Sequence, residues 1–119
     1  DLIQTLRKAY DENRLEARLK HFAKYKLLII DEIGYLPIDK IGANLFFQLI
    51  AKRYEHNSTI ITTNQPFSKW GEVFSDSMLA NAILDRLLHH AHVIKMVGPS
   101  YRTKDYYELL DGEEQKVVR

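Results

Sequence analysis

The chain has 119 residues, enough for one compact domain and too few for two comfortable ones. Lys+Arg number 17 against 16 Asp+Glu, a net charge of +1, so any binding of nucleic acid needs a local basic patch. The absence of cysteine excludes disulfides and thiolate metal sites, and no apolar stretch approaches the roughly 20 residues of a membrane-spanning helix. A cytoplasmic location with no membrane partner is the expectation.

From the start, Leu2, Leu6, Tyr10, Leu15, Leu19 and Phe22 recur at helical spacing across Asp1–Lys24, and Asp11-Glu12-Asn13 divides the stretch into two helices. Tyr25–Ile30 is a short apolar run of the kind shown by a strand buried on both faces, closed by a loop at Gly34 and Pro37. Asp39 is placed to N-cap a helix through Arg53, with Ile41, Leu45, Phe46, Leu49 and Ile50 as its apolar face. The β-branched run Ser58–Thr63 reads as a second buried strand, ended by Asn64-Gln65-Pro66. Phe67–Phe74 reads as a loop or single helical turn, and Asp76 as the cap of a helix carrying Met78, Leu79, Ala82, Ile83 and Leu87. His92–Val97 is a third short strand, Gly98-Pro99 a turn, and the tail from Tyr101 is polar, helical only near its start. This alternation predicts an α/β fold, most simply a parallel sheet with covering helices.

The chemistry concentrates where four apolar residues run into Asp31-Glu32. Ligands of open α/β sheets bind beyond the carboxyl ends of the strands, and a strand holds carboxylates there rigidly. A nucleotide triphosphatase needs one acid for Mg²⁺, which prefers hard oxygen ligands, and one to orient the attacking water. Asp31 is the candidate for the first role and Glu32 for the second. The plainer alternative is a pair that solvates a strand end. Asn64, at the tip of the second strand, offers a neutral amide to the water or the γ-phosphate, although asparagine also forms turns there. Arg86 stands in the apolar helix beside Asp85, either as a surface ion pair or as a finger reaching the γ-phosphate of a neighbouring subunit. Arg102 could approach phosphates from the same chain.

His89-His90-x-His92 invites a metal reading, but adjacent helical residues face different directions and no carboxylate or cysteine completes a shell. Trp70, with Phe67 and Phe74, reads as packing rather than a base-stacking platform.

The segment Leu27-Leu28-Ile29-Ile30-Asp31-Glu32-Ile33-Gly34-Tyr35-Leu36-Pro37 resembles the Walker B region of the IstB-like ATP-binding proteins, the transposition helper ATPases of insertion sequences. The resemblance continues through Phe47-Gln48-Leu49-Ile50, Arg53-Tyr54-Glu55 and Ser58–Asn64. Its most specific stretch is Pro66-Phe67-Ser68-Lys69-Trp70-Gly71-Glu72-Val73-Phe74, and it goes on through Ile83–His90 to end near Ser100-Tyr101-Arg102. These proteins belong with the AAA+ ATPases and are similar to DnaC-type helicase loaders. The resemblance implies an incomplete P-loop NTPase core spanning 1–119, with 103–119 as a polar tail. It implies Asp31 and Glu32 as the Walker B acids, Asn64 as sensor I, Arg86 as arginine finger and Arg102 as the sensor II arginine.

The sequence departs from that pattern in one large respect. The five glycines, Gly34, Gly42, Gly71, Gly98 and Gly112, are scattered, and none belongs to a Gly-x-x-x-x-Gly-Lys-Ser/Thr phosphate loop. The resemblance then implies the C-terminal part of a longer ATPase, or else a decayed copy of one, using ATP and Mg²⁺, with DNA, a transposase and other copies of itself as partners, itself inactive for want of the loop. A helicase loader or a non-catalytic DNA-binding module is the alternative, its phosphate contacts drawn from Arg7, Lys8, Arg14, Arg18, Lys20, Lys24 and Lys26.

Overall fold

The helical stretch at the start divides as its polar interruption requires, into α1 (Leu2–Asp11) and α2 (Leu15–Ala23). Asp1 caps the first by accepting from the Ile3 amide, and Asn13 makes the corner in a left-handed conformation that asparagine tolerates. The computed structural model describes residues 1–97 and the backbone of 116–118, so Arg102 and the expected helical start of the tail lie outside the described residues.

Next come β1 (Leu27–Ile33), α3 (Lys40–Arg53) and β2 (Ser58–Thr63). The two strands pair in parallel, with Leu27 opposite Ser58 and Ile30 opposite Ile61. Parallel neighbours need a crossover, and α3 supplies it. Asp39 starts that helix as expected, accepting from the Gly42 amide at 2.9 Å. A 3-10 turn at Phe67–Lys69 leads into the single turn α4 (Trp70–Val73), and α5 (Ser77–Leu88) follows with Asp76 accepting from the Leu79 amide at 3.0 Å.

Ile30, Ile33, Phe46, Ile50, Trp70, Phe74 and Ile83 form the main core, and Leu6, Leu19, Leu45 and Leu49 join α1 and α2 to α3. Trp70 is buried against Phe74, its indole N–H reaching the Gln65 carbonyl at 3.3 Å, which is the packing role its sequence context suggested.

Arg53, at the end of α3, is buried. Its guanidinium donates to the carbonyls of Phe22, Tyr25 and Ser58 and to the Thr59 hydroxyl at 2.6–2.9 Å, tying the end of α2 to the starts of both strands. Burial pushes its pKa down from the ordinary arginine value.

Two expectations need correction. The strands are not buried on both faces. Leu28, Ile30 and Ile61 turn towards α3, while Leu27, Ile29 and Ile60 on the other face are about half exposed or more, at 51%, 61% and 49%. The reason is supply: the main core gathers the inward positions of both strands with residues of α3, α4 and α5 on that one side. Nor does the third strand join the parallel sheet. The chain divides into two compact units, Asp1–His89 and His90–Arg119. In the second, β3 (Lys95–Val97) pairs antiparallel with β4 (Lys116–Val118), Met96 opposite Val117. Lys95, Met96 and Val97 are all exposed, so β3 lacks the burial that a central parallel strand requires.

Candidate functional site

Alternation along β1 puts Leu28 and Ile30 inward, and the next inward position would be Glu32. A carboxylate there would enter the main core at a heavy desolvation cost. The strand avoids this with a bulge. Ile30 pairs with Ile61 and Ile33 with Thr63, so Asp31 and Glu32 together oppose the single residue Thr62. Glu32 takes a left-handed φ of 61°, Ile33 turns inward to be buried, and both acids are exposed.

Thr62 closes the bulge from the neighbouring strand. Its hydroxyl oxygen accepts from the Glu32 amide at 2.9 Å, and its proton goes to Asp31 Oδ1. Both acids are therefore held by one side chain. Gly34 then crosses close to β2, where an added Cβ would stand 3.0 Å from Gln65 Cγ and 3.2 Å from Thr63 Oγ1. Its φ of 94° is a second reason for glycine there. Asn64 follows Thr63, the partner of Ile33, and is exposed. Asp31, Glu32 and Asn64 thus share the carboxyl ends of two adjacent strands, where an open α/β sheet binds ligands.

The loop beyond the acids is anchored at Asp39. Arg7 donates to both its oxygens, at 2.7 and 2.6 Å. The Arg7 guanidinium first, and then the Gly42 amide, hold the Asp39 carboxyl below its ordinary range.

Arg86 lies elsewhere. Its guanidinium carbon sits 5.6 Å from the centroid of the Phe47 ring and 5.5 Å from that of Tyr54, with Asp85 at 3.9 Å. Those rings belong to the second half of α3 and its end, and the crossover returns that end towards the starts of the strands. Arg86 is therefore not gathered with the acids of its own chain. Around it, Tyr54 and His89 stack and hydrogen-bond, and Glu55 Oε1 lies 3.6 Å from His89 Nδ1, a carboxylate beside a histidine that sequence spacing did not reveal.

Of the expected residues, the fold brings together Asp31, Glu32 and Asn64, and sets Arg86 apart. Thr62 is the participant that sequence reading passed over, because a threonine in a β-branched run looks like any strand former. The available signal was its parity: it shares the outward face with Ile60.

A parallel sheet with packed helices and a pair of acids at a strand end define a partial P-loop NTPase-like domain. The family described as IstB-like ATP binding protein matches residues 1–108, and the chain belongs to this family. It is 67% identical, over 90% of its length, to a protein of insertion sequence IS232 from Bacillus thuringiensis subsp. berliner, named for ATP binding, and covers 43% of that protein. It is 48% identical to the corresponding IS5376 protein of Geobacillus stearothermophilus, over 98% of the chain and 45% of the relative. To the IS21 protein of Pseudomonas aeruginosa it is 53% identical, over 87% of the chain and 39% of the relative. The chain thus spans less than half the length of these relatives.

Proposed function

We propose that this chain is part of an AAA+ ATPase that assists DNA transposition, binding ATP with Mg²⁺, engaging DNA and a transposase, and associating with copies of itself through the ATPase interface. The observation that carries the reading is the outward placement of Asp31 and Glu32 by a bulge at the end of a parallel strand. Family membership supports ATP as the ligand, and the relatives' insertion-sequence names support transposition as the setting. A cytoplasmic location is part of the proposal; no helix among the described residues is long and apolar enough to cross a membrane.

An exposed carboxylate with one oxygen fixed by a hydroxyl fits the hard-oxygen donor set that magnesium prefers. When bound, Mg²⁺ neutralises charge on the β- and γ-phosphates. Asp31 would hold the ion, and Glu32 would orient the attacking water through its carboxylate oxygens. Asn64 would hold the same water by its amide without adding charge. Arg86, distant from its own acids, would serve the site of a neighbouring copy, and Arg102 would meet phosphates within the chain.

The 119 residues hold no Gly-x-x-x-x-Gly-Lys-Ser/Thr. The phosphate cradle is therefore assigned to the further length that the relatives possess, and the 119-residue chain alone is expected to hydrolyse ATP negligibly. The bare sheet face supports this reading, since parallel sheets are covered on both sides.

The test is ATP affinity with and without magnesium, measured on a full-length protein containing this segment. Asp31→Asn should abolish the enhancement by magnesium, and an undiminished enhancement would overturn the assignment. Exposed Lys20, Lys24 and Lys26 around the end of α2 favour a second reading, a helicase-loader-like or non-catalytic DNA-binding module. Arg7 and Arg14 are already paired with Asp39 and Glu12. Salt-sensitive DNA binding that survives Asp31→Asn, with no effect of magnesium on ATP, would support the module.

A further inference from the structure

We infer that Thr62 is the positioning residue of the acid pair: its single hydroxyl pins the β1 bulge and thereby keeps Glu32 turned out towards the reacting water. The inference rests on the reading of Asp31 and Glu32 given above and adds a residue to it. Three observations converge. Asp31 and Glu32 stand as two residues opposite one, so the strand ladder is locally broken. Glu32 sits at φ 61°, a region that costs a non-glycine residue free energy and is kept only where the surroundings impose it. The Thr62 oxygen accepts from the Glu32 amide that the bulge displaces, and gives its proton to Asp31 Oδ1.

A hydroxyl has one proton to donate and lone pairs to accept with, and here the two capacities serve the two acids in turn. Fixing Oδ1 sets the rotation of the Asp31 carboxylate, which decides how its other oxygen meets a metal ion. Accepting from the Glu32 amide holds the peptide whose rotation would return Glu32 towards the inward face. Serine can make both bonds. Valine has nearly the same shape and makes neither.

The first arm uses the 119-residue chain. Amide hydrogen exchange at Glu32 should quicken about tenfold or more in Thr62→Val, the loss of one hydrogen bond, while amides in the middle of α3 keep their rates and Thr62→Ser keeps the slow rate. The second arm uses a full-length protein containing the segment. There Thr62→Val should lower kcat about tenfold with little change in KM for ATP, and Thr62→Ser should restore it. An unchanged Glu32 exchange rate in Thr62→Val overturns the inference. So does full turnover in Thr62→Val where Glu32→Gln abolishes it. Should Glu32→Gln leave turnover intact, the reading of the acids fails instead, and the exchange arm still decides whether Thr62 pins the bulge.

Discussion

Ile30 and Ile33 enter the same core from one strand although they lie three positions apart. Regular alternation would set them on opposite faces. The bulge between them absorbs the odd residue, and it leaves Glu32, which alternation would have turned inward, exposed beside Asp31. The burial of Ile33 on one side of β1 and the exposure of both acids on the other are thus consequences of one backbone irregularity.

The left-handed conformation at Glu32 gives a first prediction. In most strand positions glycine is less stable than alanine, because it loses more chain entropy on folding. Here the order should reverse or vanish, since a side chain at φ 61° carries a steric cost of about 1–2 kcal/mol that glycine escapes. Thermal unfolding should therefore show Glu32→Gly at least as stable as Glu32→Ala. A clear advantage for alanine would mean that the bulge is absent in solution.

Arg53 should be a stability residue rather than a binding one. Arg53→Met leaves the carbonyls of Phe22, Tyr25 and Ser58 without their donor and should cost about 3 kcal/mol in denaturant unfolding. Arg53→Lys should recover little, because an ammonium cannot fork to acceptors on three separate segments. A near-neutral Arg53→Met would refute the bracing role.

The bare face of the sheet should make the 119-residue chain sticky. Ile29 and Ile60 face each other across the strands on that side, an exposed pair of the kind that drives association. Ile29→Lys with Ile60→Thr should shift light scattering towards the monomer and leave the helical circular dichroism intact. Unaltered association would place the sticky surface elsewhere.

Asp39 supplies a pH dependence. Its folded pKa is depressed by Arg7 and by the Gly42 amide, so its contribution is complete above the ordinary aspartate value of about 3.9. That contribution is lost as pH falls through the lower folded value. Asn at this position still caps α3 but lacks the charge. The stability difference between the parent and Asp39→Asn should therefore be constant near neutrality and shrink in acid. A difference that grows in acid would contradict the assignment.

Much of this was legible in the sequence, for identifiable reasons. Asp39 and Asp76 are caps that announce themselves by residue type, and α3 and α5 follow from their apolar spacing. The strand-end positions of the acids and Asn64 are legible because apolar runs mark strand ends. The covering of the sheet was misjudged, since an unbroken run such as Leu27–Ile30 reads as doubly buried whether or not a second layer is present. Thr62 and the ring contacts of Arg86 escaped notice because they depend on strand register and helix packing, which one-dimensional spacing does not carry.

The central claim is that Asp31-Glu32 is the magnesium- and water-handling half of an ATPase site, and one measurement tests it most directly. Steady-state ATP turnover by a full-length protein containing this segment should fall to background in Glu32→Gln while ATP is still bound. Turnover equal to the parent in Glu32→Gln would contradict the account and leave the acids as a solvated strand end.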